Sequence, residues 1–155
     1  MTKRTLFTRA LLAFFMISIS QNALSDPIKA FQQKLTQYQG KVVYVDFWAS
    51  WCGPCRKSFP WMNNLKKTYQ AQGFEIVSIN LDRDLQLAEK FLAHYPASFD
   101  VIYDPNGLLA KKYHVKGMPS SFILNRKSEV TSVHVGFTKQ KSQQYQQEIL
   151  TLLAQ

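Results

Sequence analysis

The chain has 155 residues, 46% hydrophobic and 14% aromatic, with 19 Lys and Arg against 10 Asp and Glu and a formal charge of +9. A chain of this size suits one hydrophobic core, and so apolar a composition excludes a disordered or low-complexity protein. Two cysteines are too few for a disulfide scaffold, which leaves the pair a structural, metal-binding or reactive role.

Residues 1–25 read as an export signal. Lys3, Arg4 and Arg9 form a positive region, and no acidic residue precedes Asp26. The apolar run Ala10–Ile19 follows; as a helix it would span roughly 15 Å, about half the hydrocarbon core of a bilayer, which suits a signal peptide better than a membrane span. Ala23 and Ser25 give the small-x-small pattern of a cleavage site, placing cleavage after Ser25 and a single domain over residues 26–155. An uncleaved anchor is the competing reading. No cysteine lies near the cleavage site, so lipid attachment through Cys is excluded. Export predicts a periplasmic location, where disulfides persist. Three of the nine net positive charges belong to this segment, leaving +6 for residues 26–155. The remaining basic residues are scattered, in short pairs such as Arg56-Lys57, Lys66-Lys67 and Lys111-Lys112. This is a solvated basic surface rather than the dense stripe of a nucleic-acid binder.

Past the signal, helical and strand patterns alternate. Ile28, Phe31, Leu35 and Tyr38 recur at helical spacing up to Gly40. Val42–Trp48 is a nearly continuous apolar run and predicts a central strand covered on both faces. Phe59, Met62, Leu65 and Tyr69 mark a second helix closing near Gly73, and Phe74–Leu81 a second buried strand. Leu85, Ala88, Phe91, Leu92 and Tyr95 mark a third helix, with Asp82 or Asp84 as its cap. A short strand is expected over Asp100–Asp104, a turn at Pro105-Asn106-Gly107 and a short helix over Leu108–His114. Ser121–Leu124 and Val130–Phe137 predict an antiparallel hairpin, in whose second strand Val133, Val135 and Phe137 alternate with His134 and Gly136. Thr138 caps a final helix carrying Tyr145, Ile149 and Leu152. The order implies an α/β fold with helices packed on a mixed sheet.

Trp51-Cys52-Gly53-Pro54-Cys55 places a C-x-x-C pair after the central strand, at the start of a helix. A thiolate there faces unpaired backbone N–H groups and the positive end of the helix dipole, so the Cys52 pKa is expected below the free value of about 8.5. Cys52 is the expected exposed nucleophile. Cys55, one turn inward, is the expected buried resolving thiol, and Pro54 stiffens the first turn. A structural zinc site needs four ligands, and there is no second cysteine pair; His94, His114 and His134 form no ligand-spaced cluster. A two-coordinate Cu(I) site remains an alternative. A purely structural disulfide closing so short a loop would add little stability.

The stretch Val45–Cys55 is similar to the active-site segment of thioredoxins, and Gly117–Leu124 (GMPSSFIL) resembles their cis-proline loop and following strand. Cys52 and Pro119 are 67 positions apart, and the extra helix and strand between roughly Asp84 and Lys112 resemble the insertion of exported TlpA/ResA-like thiol-disulfide oxidoreductases. The resemblance covers about residues 40–137. It implies a thioredoxin fold with this insertion between the CxxC helix and the cis-proline loop. It also implies a cis Pro119, Met118 facing the substrate peptide, and contacts from Trp51, Gly53 and Pro54. No cofactor or metal is implied beyond a redox-active Cys52–Cys55 disulfide. The implied partners are protein thiols and disulfides and a DsbD-like membrane electron donor, with a monomer as the expected state.

Asp46 is a carboxylate inside the buried strand, where desolvation raises a pKa. Six residues before Cys52, it is a candidate proton acceptor for Cys55, and thioredoxins carry their buried aspartate at this motif position. A strand-end carboxylate bonded to backbone is the structural alternative. Two positions depart from the resemblance: Ser78 stands where thioredoxins commonly place a lysine that assists the aspartate, and Ser58 where ResA-like proteins carry a glutamate. The loop sequence GMPSSF also lacks the pattern of the cytochrome-maturation branch. Gly53-Pro54 resembles the reducing members of the family, so disulfide reduction is the expected direction, with an oxidase or isomerase as the alternative.

Overall fold

The computed structural model describes residues 26–155. The predicted signal segment and its cleavage point lie outside the described residues.

All seven residues of β1 (Val42–Trp48) are buried, as a run without polar alternation requires of a strand with helices on both faces. β1 is the middle strand of a five-stranded sheet ordered β3-β2-β1-β4-β5. Its neighbours are β2 (Phe74–Asn80), in parallel, and β4 (Ser120–Leu124), antiparallel. β3 (Asp100–Tyr103) extends the parallel side, and β5 (Val130–Val135) closes the antiparallel side as a hairpin with β4.

Helices cover the two faces unequally. α2 (Cys55–Tyr69), α3 (Leu85–His94) and α5 (Lys139–Leu153) pack on the face that presents Val42, Tyr44 and Trp48. α1 (Pro27–Gln37) and the short α4 (Leu108–Lys112) pack on the face that presents Val43, Val45 and Phe47. Because strand side chains alternate, β1 feeds both cores from consecutive residues.

Caps set the helix starts. Asp26, Asp84 and Thr138 each accept a backbone N–H with the side chain at the heads of α1, α3 and α5. Asp104, fully buried, accepts the N–H groups of Leu108, Leu109 and Ala110 and so holds α4. Asp84, rather than Asp82, caps α3; Asp82 serves the loop before Cys52. α4 ends two residues short of expectation because His114 turns into the left-handed region at φ 52°. The insertion, α3 and β3, is anchored by rings: Phe59 of α2 meets Trp48, Phe91 and Phe99 at centroid separations of 4.8, 5.0 and 5.4 Å.

β5 is shorter than expected and ends at Val135, because Gly136 turns the chain at φ 82°. The strand also faces opposite to ordinary amphipathic logic. Val133 and Val135 are 60% and 51% exposed, while Ser132 and His134 lie beneath α5. α5 covers only one face of this edge strand, and its Tyr145 and Glu148 present polar groups there for His134 to meet.

Candidate active site

The chain leaving β1 is pinned before it reaches the first cysteine. Asp82, two residues past the end of β2, accepts the Ser50 N–H and the Ser50 hydroxyl, and Asn80 Nδ2 donates to the same carboxylate at 2.8 Å. The Cys52 N–H donates to the Ala49 carbonyl at 3.0 Å, and that of Cys55 to the Cys52 carbonyl at 3.2 Å. This tight turn brings the sulfurs together, and Cys52 and Cys55 are joined as a disulfide.

Two details differ from expectation. Cys55 is the first residue of α2 rather than one turn inside it, with Pro54 as the N-cap. In the disulfide form Cys52 is only 3% exposed and Cys55 is fully buried, so the outer sulfur is shielded rather than open. What reaches solvent is the rim: Trp51 is 68% exposed, and Gly53 and Pro54 are exposed beside it.

The loop before β4 lies at the same end of the sheet, because β4 runs antiparallel to β1 with Ser120 opposite Phe47. Its Met118–Pro119 peptide bond is cis. The Ser120 hydroxyl donates to the Gly117 carbonyl at 2.6 Å, and the Gly136 N–H donates to the Pro119 carbonyl at 2.7 Å, so the hairpin partner fixes the loop from behind. Met118 is partly buried and touches the cores on both sheet faces. Val135 sits against Gly117, its Cγ1 3.6 Å from where a Cβ on that glycine would lie.

Asp46 is 1% exposed and shares its sheet face with Tyr44 and Trp48, the face on which α2 carries Cys55. Burial pushes its carboxyl well above the usual carboxylate range, and its Oδ2 has no hydrogen-bond partner. The Ser78 hydroxyl, beside it in β2, is engaged elsewhere: it accepts from Trp48 Nε1 at 3.2 Å and donates to the Asp100 carbonyl at 3.3 Å. Ser58 is also turned inward, its hydroxyl donating to the Cys55 carbonyl at 3.1 Å. Among the described residues no cluster of three or more His, Cys, Asp or Glu gathers as a metal site.

Sequence reasoning missed the polar side of this pocket. Ser121 stands opposite Asp46 in β4, and Tyr44 is pushed up in pKa, first by burial and then by the Asp46 charge. The signal was present as two consecutive serines in a strand otherwise apolar.

A C-x-x-C disulfide at the head of a helix, with a cis-proline loop at the same end of a mixed sheet, defines a thiol-disulfide oxidoreductase of thioredoxin fold. The chain belongs to the Redoxin family, whose profile matches residues 23–149. It is 32% identical over 127 residues to the thiol-disulfide oxidoreductase ResA of Geobacillus thermodenitrificans, covering 81% of this chain and 72% of that protein. It is 34% identical over 103 residues to ResA of Bacillus subtilis, covering 66% of this chain and 58% of that protein. Among solved structures, a candidate thiol:disulfide interchange protein DsbE from Chlorobium tepidum superposes with a TM-score of 0.75 at 50% identity, covering 77% of this chain and 84% of that one. StoA from Bacillus subtilis superposes at 0.60 and 28% identity, covering 70% and 82%.

Proposed function

We propose that this thiol-disulfide oxidoreductase works as a reductant of protein disulfides. The Cys52 thiolate attacks a client disulfide and forms a mixed disulfide; Cys55 then attacks Cys52, two electrons pass to the client, and the client leaves as a dithiol. The observation that carries the reading is the buried Cys52–Cys55 disulfide facing the Met118–Pro119 loop. Asp46 takes the proton that Cys55 must lose, a role favoured by a carboxyl whose burial raises its affinity for protons. Trp51, Gly53 and Pro54 form one lip of the client groove, and Met118 and Pro119 form the other.

The direction rests on Gly53-Pro54, the dipeptide found at the reducing end of the resemblance. Potentials of such couples run from about −270 mV in thioredoxin to about −120 mV in DsbA, a span of roughly 7 kcal/mol. A reductant acting in the periplasm needs electrons delivered through the membrane by a DsbD-like donor. The signal-like pattern read in residues 1–25 and the likeness to ResA and DsbE support that setting.

Equilibration with glutathione buffers tests the direction. A reductase is expected to give a potential below about −200 mV, and a value above about −180 mV would assign the protein to disulfide formation or reshuffling. Cys52→Ser is expected to abolish insulin reduction; persistence of that activity would reassign the nucleophile.

A further inference from the structure

Asp46 belongs to a polar row that crosses the sheet toward its edge. Register places Asp46 opposite Ser121, and Ser121 opposite His134, on one sheet face beneath α5. In-register neighbours on one face have Cβ atoms about 4.5–5.5 Å apart, so Ser121 is within reach of both. Buried polar atoms without a hydrogen-bond partner recur along the row: Oδ2 of Asp46, Nδ1 of His134 and, beyond it, Oε2 of Glu148. Unpartnered buried polar atoms are rare and costly, and two of them flanking one hydroxyl call for a shared explanation.

The far side of His134 opens outward. Its Nε2 lies 2.9 Å from Oε2 of Glu148, and the Glu148 side chain is 29% exposed. Tyr145 stacks on the imidazole at 3.9 Å between ring centroids and anchors its hydroxyl on the Gly136 carbonyl at 2.9 Å. The ring is therefore fixed in orientation. The charged or titratable groups around it are Glu148, Tyr145 and Lys141 of α5 and, across Ser121, Tyr44 and Asp46 of β1; β4 contributes only Ser121. Burial holds the imidazole below its usual pKa against the pull of Glu148, which keeps a lone pair free to accept a proton.

We propose that Ser121, His134 and Glu148 form the proton exit of Asp46, replacing the lysine whose position Ser78 occupies. The proposal rests on Asp46 as proton acceptor. When Cys55 attacks Cys52, its thiol proton goes to the Asp46 carboxylate. Asp46 passes a proton through the Ser121 hydroxyl to Nδ1 of His134; the proton on Nε2 leaves by Glu148 to solvent, which returns the row to its starting charge. In disulfide reduction by a dithiol the same steps run backward. His134 and Glu148 are positioning residues: neither touches the reacting sulfurs.

The test is stopped-flow oxidation of the reduced protein by excess oxidised glutathione, where the intramolecular attack of Cys55 limits the rate, followed by tryptophan fluorescence across pH and buffer concentration. His134→Gln keeps a donor toward Glu148 but cannot relay a proton. It is expected to slow the resolving step about tenfold, less than the loss of a direct acid–base group, and to make it depend on buffer concentration as small bases take over the relay. Ser121→Ala, which should fold readily, is expected to show the same buffer dependence. A purely structural role changes stability without buffer rescue. Wild-type pH and buffer profiles in Ser121→Ala, or in a folded His134→Gln, would overturn the exit. A wild-type protein that fails to exchange with glutathione would instead overturn the dithiol reading, so the two failures are distinct.

Discussion

Ser50 is bound twice by Asp82, through its N–H to Oδ2 and its hydroxyl to Oδ1, both at 2.8 Å. The carboxylate is 5% exposed and also takes Asn80 Nδ2, so one buried side chain holds the loop two residues before the reactive cysteine. Asp82→Ala would strand several donors at once. The expected loss is about 2–4 kcal/mol of stability, and for a domain of this size Tm should fall by roughly 5–12 °C in calorimetry of the oxidised protein.

Asp46 is expected to cost stability at neutral pH. Its folded-state pKa lies above the unfolded value, so the folded form keeps a proton that the unfolded chain releases. Stability therefore falls as pH rises from near 4 toward the raised pKa, and levels off above it. Asp46→Asn removes this loss. At pH 8 the variant should be more stable by about 1–3 kcal/mol, the mutational cost of an unpartnered buried polar group. Near pH 4 the two proteins should converge. Urea titrations at both values check the sign, and an Asn variant less stable at pH 8 would contradict it.

Acid should act on the opposite face of the ledger. Burial alone would raise the Glu75 carboxyl, but hydrogen bonds and charges from Lys41 and Lys66, each at 3.0 Å, hold it below the usual range. Asp100 is likewise lowered against its burial by Tyr38 and Lys34. Depressed carboxylates contribute stability that is present above their unfolded pKa, near 4, and is lost as pH falls through the folded one. Lys66→Met is expected to lower stability at pH 7 by up to about 1 kcal/mol and to move the acid transition upward. Unfolding curves between pH 2 and 5 read both effects.

Phe59 joins the insertion to the sheet through three ring contacts. Phe59→Ala should cost about 3–5 kcal/mol. Hydrogen exchange should show the added opening concentrated in α3 and β3 before the central strands lose protection.

The element order and the reactive pair were legible because each rests on local chemistry. A continuous β-branched and aromatic run defined β1, and the cysteine spacing fixed the dithiol to the turn after it. What escaped notice depends on facing and on distance along the chain. Alternation in β5 marks a strand without saying which side α5 covers, and the answer is His134 rather than Val133 or Val135. Ser121 and His134 acquire meaning only beside Asp46, which register supplies and spacing does not. The burial of Cys52 has the same origin, since Met118, 66 positions downstream, packs against the cluster that holds it.

The pairing of β1 with β4 carries a consequence for biosynthesis. The cysteines leave the ribosome early, but the strand that pairs with β1 and the cis-proline turn before it are made after residue 117. The hairpin and α5 that brace that loop come later still. A nascent chain thus displays two bare thiols with no groove to select their partners. Discrimination among disulfides arrives only with the final quarter of translation.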